Sequence, residues 1–231
     1  FTLTVSGNFT NNGTVQNNYY TFNLNISGNL INNGTWTNQT TTLNGIGNQG
    51  ISMTQPFQGS SLVRNASTGR VRALTGLDFI GTVITLNSDT LEFTTGTSIS
   101  MNGGSLNSGV LYKSSLPALQ ITTDNGTYLY AMRVDAAQSE LNGTVLINGN
   151  TNSFKNAVIN NGILQNSSNN VYTLTVSGNF TNNGTVQNNY YNFSINISGN
   201  LINNGTWTNY ATTLNGTSNQ EIAMSLPFGG S

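Results

Sequence analysis

The chain has 231 residues with six Lys or Arg, seven Asp or Glu, no His and no Cys. Charged residues make up 6%, where an ordinary globular domain carries about 25%, so neutral polar groups must supply solubility. Six scattered cations give no footprint for nucleic acid, no apolar run approaches the ~20 residues of a membrane-spanning helix, and the absence of cysteine rules out a disulfide framework.

The abundance of Asn, Thr, Ser and Gly would suit a low-complexity linker, except that Ile, Leu, Val, Phe and Tyr recur at regular intervals. From the first residue, Phe1, Leu3 and Val5 alternate with Thr, the period of a strand with one buried face. Ser6-Gly7-Asn8 breaks that strand, Phe9 resumes an inward position, and Asn11-Asn12-Gly13 breaks it again before Val15. Gly and Asn tolerate positive φ at little cost, so these triplets predict corners. Twenty-one residues on, Phe22, Leu24, Ile26, Leu30 and Trp36 repeat the apolar positions, and Gly28, Asn29, Asn33 and Gly34 repeat the corners. A period near 20 with strands and sharp corners is a solenoid signal, because a single coil is too thin to bury its apolar face until it stacks on others.

The expected fold is therefore all-β, a parallel β-helix (β-solenoid) with coils of about 21 residues and three short strands per coil, running as one continuous unit over residues 1–231. An antiparallel hairpin reading, with Asn-Asn-Gly as a reversing turn, is the alternative. Stacking would set Asn8 above Asn29 and Asn179 above Asn200 in amide ladders, unless these residues only form turns. At about 4.8 Å per coil the rod would be roughly 50 Å long.

Residues 64–155 differ. They hold every charge except Glu221, and the 21-residue register blurs into coils of about 17 to 22 residues. Arg64, Arg70, Arg72, Lys113 and Arg133, with Asp78, Asp124 and Asp135, mark either a side loop or lateral docking surface, or simply a solvated face. The stretches Leu116–Ile121 and Tyr128–Met132 read as an elaboration projecting from the rod or as two more strands. Residues 172–231 then repeat residues 1–60 at an offset of 171: TLTVSGNFTNNGTVQNNYY stands at Thr2–Tyr20 and at Thr173–Tyr191. Differences such as Thr21 to Asn192, Gln39 to Tyr210 and Gly50 to Glu221 fall at expected turns or outward positions, while Leu24 to Ile195 is the near-isosteric swap a packed interior tolerates.

Without His or Cys the usual general bases, thiol nucleophiles and imidazole ligands are missing. The carboxylate pairs Asp89/Glu92 and Asp135/Glu140 sit on short local segments, and nothing forces them to face each other across a sugar. No Gly-Gly-x-Gly-x-Asp calcium repeat occurs. The strand pair Thr2-x-Thr4 is followed one coil on by Asn23-x-Asn25, so a flat ice-binding Thr array is not repeated. Asn-x-Ser/Thr sequons such as Asn8-Phe9-Thr10 arise by composition. No catalytic, metal or cofactor residue is expected, and the chain is not read as an enzyme.

The strings SGNFTNNGTV, ISGNLINNGTW, TTLNGTSNQEI and LNSDTLEFTTGTSISMNGGSLNSG resemble the repetitive β-helical regions of large secreted surface proteins and adhesins of Bacteroidota and related Gram-negative bacteria. That resemblance implies a stalk or fibre segment at the cell surface, extracellular, lacking its own recognisable export or anchoring domain. The expected partners are further coils, either a tandem array or subunits stacked end to end, with surface glycans as a second class. A carbohydrate-binding or carbohydrate-processing β-helix is the alternative function. It requires Tyr19, Tyr20 and Trp36, or their second-copy counterparts, to stand exposed as stacking platforms, whereas alignment of Trp36 and Trp207 with Val15 and Val186 places both indoles inside.

Overall fold

A computed structural model describes residues 1–94 and 97–230. It is all-β, with parallel strands stacked in about ten coils of roughly 21 residues. Each coil has three short faces. In the first coil these are Thr2–Val5, Phe9–Asn11 and Thr14–Gln16, called here the first, second and third faces. They pair in parallel with Asn23–Ile26, Leu30–Asn32 and Thr35–Thr37 of the coil above, in the register Leu3↔Leu24, Phe9↔Leu30 and Val15↔Trp36. Every one of these neighbours lies one 21-residue period away, which excludes the hairpin alternative.

Side chains alternate in and out along each strand, so stacking turns single apolar residues into files. Leu24, Ile26, Leu30, Trp36, Ile51 and Phe57 are fully or almost fully buried in one continuous core that reaches Trp207. Trp36 stacks on Phe57 at 5.3 Å between ring centroids, and its indole N–H donates to Asn38 Oδ1 at 2.9 Å. Trp207 makes the same bond with Asn209 at 2.8 Å. Both indoles are interior, as their alignment with valines implied.

The asparagines work differently from the expected ladder. Asn8 and Asn29 are neighbours in adjoining coils, but Asn8 Oδ1 accepts the backbone N–H of Asn29 (2.8 Å), and Asn29 Oδ1 accepts that of Gly50 (2.7 Å). Amide-to-amide bonds run instead through the Asn-Asn-Gly corner. Asn11 Nδ2 donates to Asn32 Oδ1 (2.9 Å) and Asn182 Nδ2 to Asn203 Oδ1 (2.8 Å), all four residues being buried. The second asparagine of the triplet forms a parallel exposed ladder, with Asn33 donating to Asn12 (3.0 Å). The glycine that follows must stay bare. A Cβ on Gly34 would come within 2.1 Å of the Gly13 carbonyl oxygen.

Between Ser105 and Asn148 the corners disappear into long bent strands. Leu119–Ala136 runs along the third, first and second faces in turn, and Ser105–Lys113 along two of them. The segments Leu116–Ile121 and Tyr128–Met132 thus belong mostly to this coil, although Leu116 itself is exposed. Successive coils here measure 23 residues from Ser105 to Tyr128 and 18 from Tyr128 to Leu146, while a 17-residue coil, Asn23 to Thr40, lies in the regular part.

The duplication is not a whole number of coils. Nine steps up the first face lead from Thr2 through Asn23, Thr40, Ser61, Val83, Ser105, Tyr128, Leu146 and Gln165 to Gln187. Gln187 is the counterpart of Gln16, which lies two faces beyond Thr2 in the first coil. Nine coils less two faces make eight coils and one face. The second copy is therefore turned: its Tyr172–Val176 stacks on the second face, Phe180–Asn182 on the third, and Thr185–Gln187 on the first.

Candidate functional site

The residues able to carry chemistry are held by structural partners. Arg64 occupies the inward file above Leu43 and is 1% exposed. Its Nε donates to Asp89 Oδ2 at 2.6 Å, Nη1 to Gln49 Oε1 and the Gly45 carbonyl, and Nη2 to the carbonyls of Gly47 and Thr68. A guanidinium in a low-dielectric interior costs several kcal/mol unless its donors are matched; here all of Nε, Nη1 and Nη2 have acceptors. Lys113 is also buried, on the file above the Phe93 position, with Nζ donating to the Thr94 carbonyl at 2.7 Å. Sequence reading took both as surface charges. The signal was available, because 21 residues beyond the inward Leu43 falls on Arg64.

Six of the other charges, Arg70, Arg72, Glu92, Arg133, Asp135 and Lys155, gather on the outside of the second face, while Asp78 lies on a third-face strand. Arg72 is stacked with Glu92, Glu92 with Tyr112, and Tyr112 with Asp135. Glu92 bridges Arg72 (3.0 Å) and Arg70 (3.6 Å), Arg70 lies over the Tyr112 ring at 5.2 Å, and Asp135 sits between Arg133 (3.5 Å) and Lys155 (3.8 Å). Glu140 accepts from Gln120 at 2.6 Å on the third face. The suspected pair Asp89/Glu92 is thus split between an interior guanidinium and an exterior pair, and Asp135/Glu140 between two faces. Among the described residues no three His, Cys, Asp or Glu gather as a metal site.

Open grooves run along the surface: one of about 470 Å³ passes Ser88, Ser108, Ala131 and Arg133, and one of about 340 Å³ holds Arg133, Asp135 and Lys155. Neither holds two carboxylates, nor a nucleophile with a base. The exposed aromatic residues include Phe1, Tyr19 and Tyr20 in the first coil, the stacked pair Tyr128 and Tyr130 in the middle section, and Tyr190, Tyr191 and Tyr210 in the second copy. No acidic residue precedes Asp78 in the chain, so the first tyrosine pair has none on its own or the adjoining coil. The structure contains no helix that is long and apolar enough to cross a membrane.

The largest unpartnered surfaces are the two ends. At the start of the solenoid Leu3 is 46% exposed, yet its counterpart Leu174 is fully buried. At the other end Ile222 and Met224 are 53% and 47% exposed, where Ile51 and Met53 are covered. The strands at these ends, Thr2–Val5 at one and Ala211–Leu214 and Ile222–Met224 at the other, have hydrogen-bonded neighbours on one side only.

Compared with known protein families, with curated proteins and with solved structures, the chain matches none. Its resemblance to adhesin repeats rests on the motifs quoted above.

Proposed function

We propose that this chain is a rigid axial segment of an extracellular fibre, filament or adhesin stalk on a bacterial cell surface, and that it carries no catalytic activity. The observation that carries this reading is the parallel stack with one continuous core, whose end strands have hydrogen-bonded neighbours on one side only. A solenoid of this kind transmits length along one axis, each coil being held by its neighbours alone. The internal partners of the charged residues support a structural role, as does the shallow, open form of the grooves. The motif resemblance supports the surface location and a Gram-negative source of the Bacteroidota type.

The carbohydrate alternative keeps only its tyrosines, because the indoles of Trp36 and Trp207 are interior. A glycan array without hits would remove it. Electron microscopy tests the leading reading: purified chain should appear as narrow rods roughly 50 Å long or as longer fibres built from them, and compact globular particles would overturn it.

A further inference from the structure

The end formed by Ala211–Phe228 has an internal precedent in sequence, because its counterpart, Thr40–Phe57, shares 11 of the 18 residues and still has its covering in place. There, Thr40–Leu43 carries the strand Ser61–Arg64, and Gln49–Ile51 carries Val71–Ala73. The guanidinium of Arg64 drops into a seat that Gln49 prepares: Gln49 Oε1 accepts from Gly45 N (2.8 Å), and Nε2 donates to the carbonyls of Ile26 (3.0 Å) and Gly28 (2.6 Å). At the open end Gln220 holds the same pose, accepting from Gly216 N (2.8 Å) and donating to Ile197 O (3.0 Å) and Gly199 O (2.6 Å). Gln220 and Gly216 are thus in place for an arginine, whose further partners, at Arg64 the Thr68 carbonyl and Asp89, come from the covering coils themselves.

A second observation concerns Glu221, the one charge outside the middle section. It replaces Gly50, and the register sets Arg72 directly upon Gly50. A strand equivalent to Val71–Ala73 laid on this end would therefore bring an arginine onto Glu221. The side chain equivalent to Leu74, which closely overlies Gly50 and is half exposed, would have to turn outward to admit the glutamate.

We infer that the Ala211–Phe228 end is the docking surface for a copy of residues 61–171, the remainder of a second 171-residue unit, entering by strands equivalent to Ser61–Arg64 and Val71–Ala73. Each added unit is turned by one face, as the second copy already is. The charged file of the second face then reappears on the third and next on the first, so three units bring it back into line. This inference rests on the rod reading and adds to it a specific contact and a three-fold screw of surface features.

The test lengthens the full chain after Ser231 by a copy of residues 61–171. Hydrogen exchange at Ile222–Met224 and Ala211–Leu214 should slow to the rates of Ile51–Met53 and Thr40–Leu43, a change of at least a hundredfold. With Glu221→Cys and a cysteine at the added counterpart of Arg72, a disulfide should form on mild oxidation, the chain having no other cysteine. Unchanged exchange or no disulfide overturns the inference. Slow exchange at this end in the unlengthened chain also overturns it, since the Phe1 end of a neighbouring molecule would then be the occupant. If the 231-residue chain is globular in the microscope, the rod reading itself fails; if it is a rod that ignores the added unit, only this inference does.

Discussion

The regular coils and the charge-bearing coils solve the same problem by different means. In residues 1–60 and 172–231 the Asn-Asn-Gly corners are turned by Asn and Gly, and buried amides satisfy the backbone there: Asn11 Oδ1 accepts Gly13 N–H, and its Nδ2 reaches the Thr35 carbonyl one coil up. In the middle section single polar side chains do this from scattered positions. Thr82 Oγ1 donates to the Gly59 carbonyl (2.9 Å), Thr123 Oγ1 to Thr144 (2.8 Å), and Asn152 Nδ2 to Leu129, Asn148 and Gly149. Arg64 is the extreme case, matching the oxygens of Gly45, Gly47, Gln49 and Thr68 and pairing with a fifth on Asp89. The stack requires its buried backbone groups to be paired; the motif that supplies the partners is free to vary.

That comparison breaks first at Arg64. Arg64→Ala leaves Asp89 partly buried without its cation, removes the guanidinium from the Gly45 and Gly47 carbonyls, and leaves Gln49 Oε1 and the Thr68 carbonyl with one backbone N–H each; it should cost about 3–5 kcal/mol, the range for stranding one member of a buried pair. Urea unfolding followed by circular dichroism would read it, and a loss under 1 kcal/mol would mean that water serves those groups equally well. In the regular coils Asn32→Ala removes one rung of the amide ladder, taking one of the two acceptors of Asn11 Nδ2 and the side-chain acceptor of Gly34 N. A loss of about 1–3 kcal/mol is expected, with the amides of Gly34 and Asn33 exchanging faster while those of the middle section are unaffected. The smallest effect belongs to the outer file. Arg72 is nearly half exposed, and Arg72→Ala should change stability by less than about 1 kcal/mol and become neutral in high salt.

The regular part was legible because identical residues return to identical places: Leu3 on Leu24 and Val15 on Trp36 follow from counting 21. Its asparagines were assigned the wrong duty. Sequence shows that Asn8 and Asn11 both recur, but only the path of the backbone decides that Asn11 turns inward while Asn8 reaches the next amide along the axis. The middle section resisted because Leu119–Ala136 rounds two corners with Gly126 as its lone glycine, and alternation alone does not reveal where such a strand bends. Arg64 and Lys113 were misread because composition treats a cation as exposed, whereas register gives each an interior position. The one-face turn between copies was hidden by coils of 17 to 23 residues, whose sum, not their mean, fixes which face each copy starts on.

The account stands on successive coils lying directly upon each other. Thr4 and Asn25 point outward from paired positions of the first face, about 4.8 Å apart along the axis and within disulfide range, while Thr4 and Thr10 are close in sequence but on different faces. In a chain with no native cysteine, oxidation of Thr4→Cys with Asn25→Cys should give a quantitative intramolecular disulfide, and Thr4→Cys with Thr10→Cys should give none. The opposite pattern would contradict the solenoid.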